Sequence, residues 1–540
     1  AAPFTKGPVE EAQLIESEED LLQTFGQPYS VDKHYEYWMV ASSYLAYGGT
    51  MQVIRADDAG LKNAVIGAGL TAGFAGLKIK SGTHYNQLGY DENVITGVEF
   101  AAKTPGSYAN GIKVATIDSQ ADQILTGIAG TSLSLIDAGG SVVGYAITQT
   151  AVGRTKADAT GTTSLDGYIK GIITKQVSDT ALELKILSHV AADGTETNVD
   201  YTQGGIYNFT STGVIGITTT GQAITNTGVD ATYTQQQDWF AQQNIALSVG
   251  TLEWDQLSDK PGTSSFAAAR GGRFDEVHVV VIDDKGEVTG NAGTILEKHL
   301  NLSKGKDAEY SVGSTAYWRK YLATNSRYIY GGSGAGFTGI VTTSYSTSST
   351  NTIDADTGWD QNVENVTFAG VGNQVGTLGV GVATTGNNLK GKNYGGNLDY
   401  TTTGALNSGI DDIITGLGLF ENTEEIEVDF ILMGAAHYSK EQSQAVAEKA
   451  IAVAEARKDA VAFISPYRQA FLNDSSVGSV TVNNIDTMTD NVVGFYAPIS
   501  STTYGVFDSG YKYMFDRFNN TFRYVPMNGD IAGTCARTDI

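Results

Sequence analysis

Cysteine is almost missing. Cys535 is the only one in 540 residues, which excludes an intramolecular disulfide framework and any thiolate metal site. Proline numbers only 8, so the chain is neither collagen-like nor a Pro-rich linker protein. Charged residues make up 17%, well under the usual share of about 25%. Positive charge is scarcest: 34 Lys and Arg stand against 59 Asp and Glu, a formal net charge of −25. A duplex would be repelled at long range, because displacing phosphate counterions needs a cationic field, and no Lys/Arg cluster of five occurs. Anionic membrane surfaces are disfavoured by the same argument. No run approaches the roughly 18 apolar residues of a spanning helix. Ala1 to Asp20 lacks the basic-then-apolar layout of a signal peptide, and an intracellular place of synthesis is expected.

What is present is enough to fold. At about 150 residues per domain the length suggests three to four domains. Counted with Gly and without Tyr, the apolar share is about 48%, inside the globular range. The pattern is α+β and multidomain. Ser17 and the acids Glu18, Glu19 and Asp20 open a helix through Leu21, Leu22 and Phe25 that Gly26 ends. A second helix is expected over about Asp32 to Tyr47, then a strand Met51–Arg55. From about 117 to 240, short β-type runs (Ser141–Thr148, Thr163–Ile173, Ala181–Val190, Gly213–Thr218) alternate with turn residues, as in an inserted β domain. Mixed α/β character resumes near Gln235–Trp254. Asp275–Asp283 reads as a strand buried on both faces, and Thr294–Leu302 as a short helix. Residues 331–410 hold 17 Gly, no Pro and seven charged residues, which suggests long loops or a β-hairpin excursion. In the last block, strand Ile426–Met433, a helix capped by Ser439 and running to about Lys458, and strand Ala460–Ser465 form a βαβ unit. The chain closes at Ala-Arg-Thr-Asp-Ile without an obvious terminal element. The expected segments are 1–30, 31–116, 117–240, 241–410 and 411–540.

Catalytic signatures are lacking. The six histidines, His34, His84, His189, His278, His299 and His437, lie at least 21 residues apart, so none forms a local zinc pair. Gly334-Ala-Gly336-Phe-Thr-Gly339 matches G-x-G-x-x-G, but a β-branched, Ser-rich run follows where a dinucleotide site needs a helix. Neither a P-loop nor a G-x-S-x-G nucleophile elbow occurs. Asp354-Ala-Asp356-Thr-Gly358-Trp-Asp360 resembles the start of a calcium loop, yet its twelfth position is Asn365 and it reads as a solvated turn. The pairs Asp57-Asp58, Asp283-Asp284 and Asp411-Asp412 are sequence neighbours at turn-like places. No catalytic, cofactor-binding or metal-binding residue is assigned, and no cofactor is expected.

The ordered set of local motifs points elsewhere. Gly7-Pro8-Val9, the Ser17–Gly26 helix, the aromatic helix ending Tyr47-Gly48-Gly49 and strand Met51–Arg55 resemble contractile tail sheath proteins of T-even-like myophages. So do Ala101–Val114, Pro261–Ser264, Asp275–Asp283, Gly286, Gly293–Glu297, Leu302–Lys304, Asn325–Ile329, Val461–Pro466 and Ala532–Asp539. No single motif decides; their order along the chain does. The resemblance implies a non-enzymatic virion tail protein, made in the host cytoplasm. Its fold would be a mixed α/β sheath core, with the βαβ unit near the C-terminus and an inserted all-β outer domain. It also implies assembly as stacked hexameric rings around a tail tube, and baseplate and tail terminator proteins as partners, with no nucleic acid and no membrane insertion. In such proteins, terminal strands augment a neighbour's sheet. Here the chain begins inside the family's first domain and stops just after Ala-Arg-Thr-Asp, so those arms are expected to be absent. Without a nucleotide motif, the work of contraction would come from stored conformational energy. The alternative is a carbohydrate-binding, adhesin-like surface protein using the Thr- and Gly-rich β insertion. An acidic hydrolase is the third reading.

Overall fold

The computed structural model describes residues 1–28, 35–58, 60–67, 76–93, 95, 98–119, 123–126, 144–158, 161–178, 181–199, 206–209, 214–217, 222–225, 231–233, 240–332, 359–366, 368, 370, 372–379, 388–389, 391–392, 409–474 and 480–538. Eight helices are named here in chain order: α1 (Glu18–Phe25), α2 (Tyr35–Leu45), α3 (Gly82–Gln87), α4 (Trp318–Asn325), α5 (Ile410–Gly418), α6 (Lys440–Arg457), α7 (Ile485–Tyr496) and α8 (Asn528–Thr538). The molecule mixes these with several separate sheets, an α+β arrangement.

Helix α1 starts where expected, with the Ser17 hydroxyl accepting from the Asp20 amide at 3.1 Å, and Gly26 closes it at φ 83°. Helix α2 is buried at ten of its eleven positions, which explains its unclear amphipathic period: an internal helix is apolar on every side. Its core partners lie at the far end of the chain. Trp38, Val40 and Ile54 share one cluster with Ile413, Val446, Ala450, Ile464, Phe495 and Val525. A buried ion pair ties the same parts together: Glu36 on α2 pairs with Arg468 at 2.8 Å. The buried Arg55 guanidinium instead joins N-terminal segments, donating to the carbonyls of Phe4, Gly7 and Pro105 at 2.7–2.9 Å.

The βαβ unit is present. Strands Phe430–Leu432 and Val461–Ile464 are parallel neighbours joined through α6, and Gly505–Phe507 adds a third parallel strand. Ser439 and Gln442 form a reciprocal capping box, and Lys458 ends the helix in the left-handed region at φ 67°. The chain also has the terminal element its last residues did not announce. Helix α8 lies on α2, where a Cβ at Gly529 would stand 2.4 Å from the Val40 carbonyl oxygen and one at Gly533 would stand 2.5 Å from the Tyr47 ring. Glycine permits that approach and hides the helix from propensity.

A five-stranded sheet runs in the order Thr294–Ser303, Glu276–Asp283, Ile112–Asp118, Asn373–Thr377, Asn388–Leu389, antiparallel except for the last pair. The Glu276–Asp283 strand is buried on both faces as expected, though in an antiparallel sheet. Val277, Val279 and Val281 meet Trp318 and Trp359, while Val280 and Ile282 meet Ile245 and Trp254. One expectation fails here. Thr294–Leu302 is a strand, not a helix; two register shifts against its partner break the alternation that would have marked it. Within the Gly-rich stretch, read as long loops or a β-hairpin excursion, the described residues include an interior strand, Asn373–Thr377; most of the stretch lies outside the described residues. Near 240–254 the chain makes 3-10 turns and a hairpin, Asn244–Leu247 with Gly250–Glu253, and no α-helix among the described residues. A buried ion pair, Lys304 with Asp118 at 2.8 Å, joins the ends of two strands, and the other Asp118 oxygen accepts from the Gly372 amide.

Strands drawn from residues 123–233 form an eight-stranded antiparallel sheet around Leu125, Ile147, Ile169, Ile173, Leu184 and Phe209. The short strands anticipated at Ala181–Val190 and within Thr163–Ile173 and Gly213–Thr218 all lie in or beside it.

Candidate assembly surface

Most of the titratable groups singled out in the sequence are hydrogen-bonded or packed within the fold where the residues are described. Asp57 binds Lys78 and Lys80. The Asp283 carboxylate accepts from the Val288 and Thr289 amides, Asp284 from the Ser248 amide, and Asp412 from the Gly409 amide. His278 is locked as the Nε2–H tautomer, donating to the Asp259 carbonyl while Nδ1 accepts from the Asn301 amide. Burial holds its pKa below the usual histidine value. His84 accepts from the Lys80 amide, His189 meets the Asp166 carbonyl, His299 pairs with Glu297, and His437 packs on Tyr37 and Tyr438. His34, the Gly334–Gly339 run and Asp354–Gly358 lie outside the described residues. Asp360 accepts from the Tyr317 hydroxyl and the Trp318 indole at 2.7 and 2.9 Å. Among the described residues no three His, Cys, Asp or Glu side chains group as metal ligands, and no helix is long and apolar enough to cross a membrane.

The surface carries the signal instead. Of sixteen exposed large hydrophobic residues among those described, nine fall between Val480 and Phe522. They are Val480 and Val482 on one hairpin, Ile485 and Val493 on α7, Val506 and Phe507 on the outer parallel strand, and three aromatics on the last hairpin. That hairpin pairs Tyr511–Asp516 with Thr521–Pro526 and is two-stranded, so its outer edges carry no further strand among the described residues. Alternation sorts its side chains. Met514, Arg523 and Val525 turn toward α2 and the core. Tyr513, Phe515, Phe522 and Tyr524 form the opposite face, with ring centroids 4.7–5.2 Å apart. Tyr513, Phe515 and Phe522 are 59%, 47% and 57% exposed.

The platform is held rigidly from behind. The buried Asp516 carboxylate accepts from the Phe518 and Asn519 amides and from Arg523 Nε at 2.8 Å, which fixes the turn. The Arg523 guanidinium lies 4.2 Å over the Tyr35 ring, Phe518 meets Trp38 edge-on at 4.9 Å, and Lys512 binds Ser43 and Asp530. The hairpin thus presents an ordered apolar face to solvent among the described residues. Sequence reading passed over it, although Tyr-Lys-Tyr-Met-Phe-Asp at 511–516 alternates with period two and was available as a signal.

No protein-family model matches the chain. Over 155 residues it is 34% identical to the tail sheath protein of Vibrio phage KVP40, a stretch covering 27% of this chain and 22% of that protein. Over 149 residues it is 30% identical to the tail sheath protein of Enterobacteria phage T4, covering 26% of this chain and 22% of the relative. The chain is related to phage tail sheath proteins over about a quarter of its length, and the match spans 22% of each curated relative.

Proposed function

We propose that this chain is a structural subunit of a bacteriophage contractile tail sheath. It polymerises around the tail tube as stacked hexameric rings and contracts on stored conformational energy to drive the tube through the host envelope. The sequence relationship to two tail sheath proteins carries this reading. The strip of exposed apolar residues from Val480 to Phe522 supports it, since a polymer subunit must offer contact surface to its neighbours. In this reading 1–30 begins the inner core, 31–116 and 241–410 form an α/β domain, 117–240 is a β-rich outer domain inserted in it, and 411–540 is the C-terminal α/β domain. The tube protein, the baseplate and the tail terminator are its partners, it works without enzymatic turnover or cofactor, and it is assembled in the host cytoplasm into the virion tail. The Tyr511–Asp516/Thr521–Pro526 hairpin pairs with no third strand among the described residues, which suits a strand donated by a neighbour along Tyr511–Asp516.

The test is negative-stain microscopy of the full-length gene product. Tubes or rings in one narrow and one wide diameter are expected. Monomers alone at high concentration refute the proposal.

A further inference from the structure

Arg319 is a buried cation with no hydrogen bond and no ion pair among the described residues. It is 6% exposed, and its guanidinium lies 5.6 Å from the Tyr317 ring. The Asp360 carboxylate accepts from the neighbouring Tyr317 hydroxyl and Trp318 indole. Arg319 is also the second residue of α4, where the helix dipole is positive and a cation is least welcome. Its N–H donors keep some access to solvent and have no acceptor among the described residues, so a ligand's oxygens can take them up.

The guanidinium lines a cavity of about 450 Å³, within the size range of small-ligand pockets. Its walls come from α3, the turn at Asp91 and Glu92, and α4. Tyr85 and Tyr330 stack at 4.2 Å on one side, fixed from behind by Lys103, which lies 5.0 Å over the Tyr330 ring. At the rim Lys320 is paired with Glu92 at 3.3 Å. Burial pushes the Tyr85 phenol up to about 12, so at neutral pH it stays protonated and able to donate. Asn86 and Asp91, which line the same cavity, supply acceptors.

We propose that this cavity is a carboxylate-binding site in which Arg319 holds the acid and the Asn86–Asp91 side receives hydroxyl groups of the ligand's body. A guanidinium fork matches a planar carboxylate with two parallel bonds. The acidic rim disfavours a dianion such as phosphate. Binding of a free acid here does not depend on the sheath reading; occupation by a neighbouring copy rests on it. Two sources carry this chemistry: a free sugar acid, or an acidic side chain of another copy, of which this chain has 59.

Isothermal titration of the whole protein with D-glucuronate, D-glucose and acetate separates them. A free-acid site binds glucuronate in the millimolar range and glucose about tenfold more weakly, and Arg319→Met removes the difference. A neighbour's carboxylate leaves glucuronate silent but raises the critical concentration for assembly about tenfold in Arg319→Met. Because no internal ion pair is lost, Arg319→Met keeps its melting temperature within about 2 °C of the wild type. A melting temperature lowered well beyond that shows an internal partner and overturns the proposal. So does a variant that changes neither glucuronate binding nor assembly.

Discussion

Replacing Tyr513, Phe515 and Phe522 together by Ser tests whether the aromatic face is an assembly contact. An aromatic side chain offers about 200 Å² of surface. At the observed exposures of 59%, 47% and 57% the three present about 330 Å² to solvent. At about 25 cal/mol per Å² this is worth at most about 8 kcal/mol when covered, or 2–3 kcal/mol per ring. Ordering and imperfect desolvation discount the figure, so a rise of at least about 100-fold in the critical concentration for assembly is the conservative expectation. The isolated subunit loses much less. Only ring pairs at 4.7–5.2 Å are removed, worth about 0.5–1.5 kcal/mol each, while Asp516, Arg523 and Val525 keep their contacts. Sedimentation velocity across a concentration series reads the first effect and urea unfolding of the unassembled chain reads the second. Assembly changed by less than about twofold, with folding intact, refutes the reasoning.

Three further perturbations check the interior. Lys304→Met takes the cation from buried Asp118 and costs about 3–5 kcal/mol by urea titration, with Asp118→Asn in the same chain recovering part of it; an unchanged midpoint for the single variant contradicts the pair's assigned role. Asp508, held by the Ser465 hydroxyl at 2.5 Å, has its pKa raised by burial to about 6. The folded chain therefore binds that proton more tightly than the unfolded chain, and the group's contribution is full below about pH 4 and lost as pH rises through 6. Relative to Asp508→Asn, wild-type stability falls by up to about 3 kcal/mol across that window; a difference that does not vary with pH removes the claim. Gly529→Ala pushes a methyl into the Val40 carbonyl and destabilises by about 1–3 kcal/mol, seen as a lower melting temperature.

Local signals wrote part of this fold in plain form. Caps and stops bounded α1 and α6 because Ser17, Gly26 and Ser439 act within a turn of themselves. The Val-rich run at Glu276–Asp283 announced a fully buried strand, since two faces packed on separate cores leave no polar position. Thr294–Leu302 misled for a related reason. Its partner's other edge had to be filled, and the bulges that let it fit erased its period. The composition of 331–410 hid Asn373–Thr377, whose strand state comes from pairing with Ile112–Asp118 and not from its own side chains.

The candidate surfaces divide in the same way. Charge balance, the missing nucleotide and nucleophile motifs and the ordered resemblances are properties of the one-dimensional chain, and they alone led away from catalysis toward a polymer subunit. Tertiary structure decided that residues near 36 and 468 close one core, that nine exposed apolar residues lie between Val480 and Phe522, and that Arg319 lines a cavity with no ion-pair partner among the described residues. Motifs are read from neighbours in sequence, whereas burial and pairing depend on which distant segments share a volume, and only the folded chain sets that.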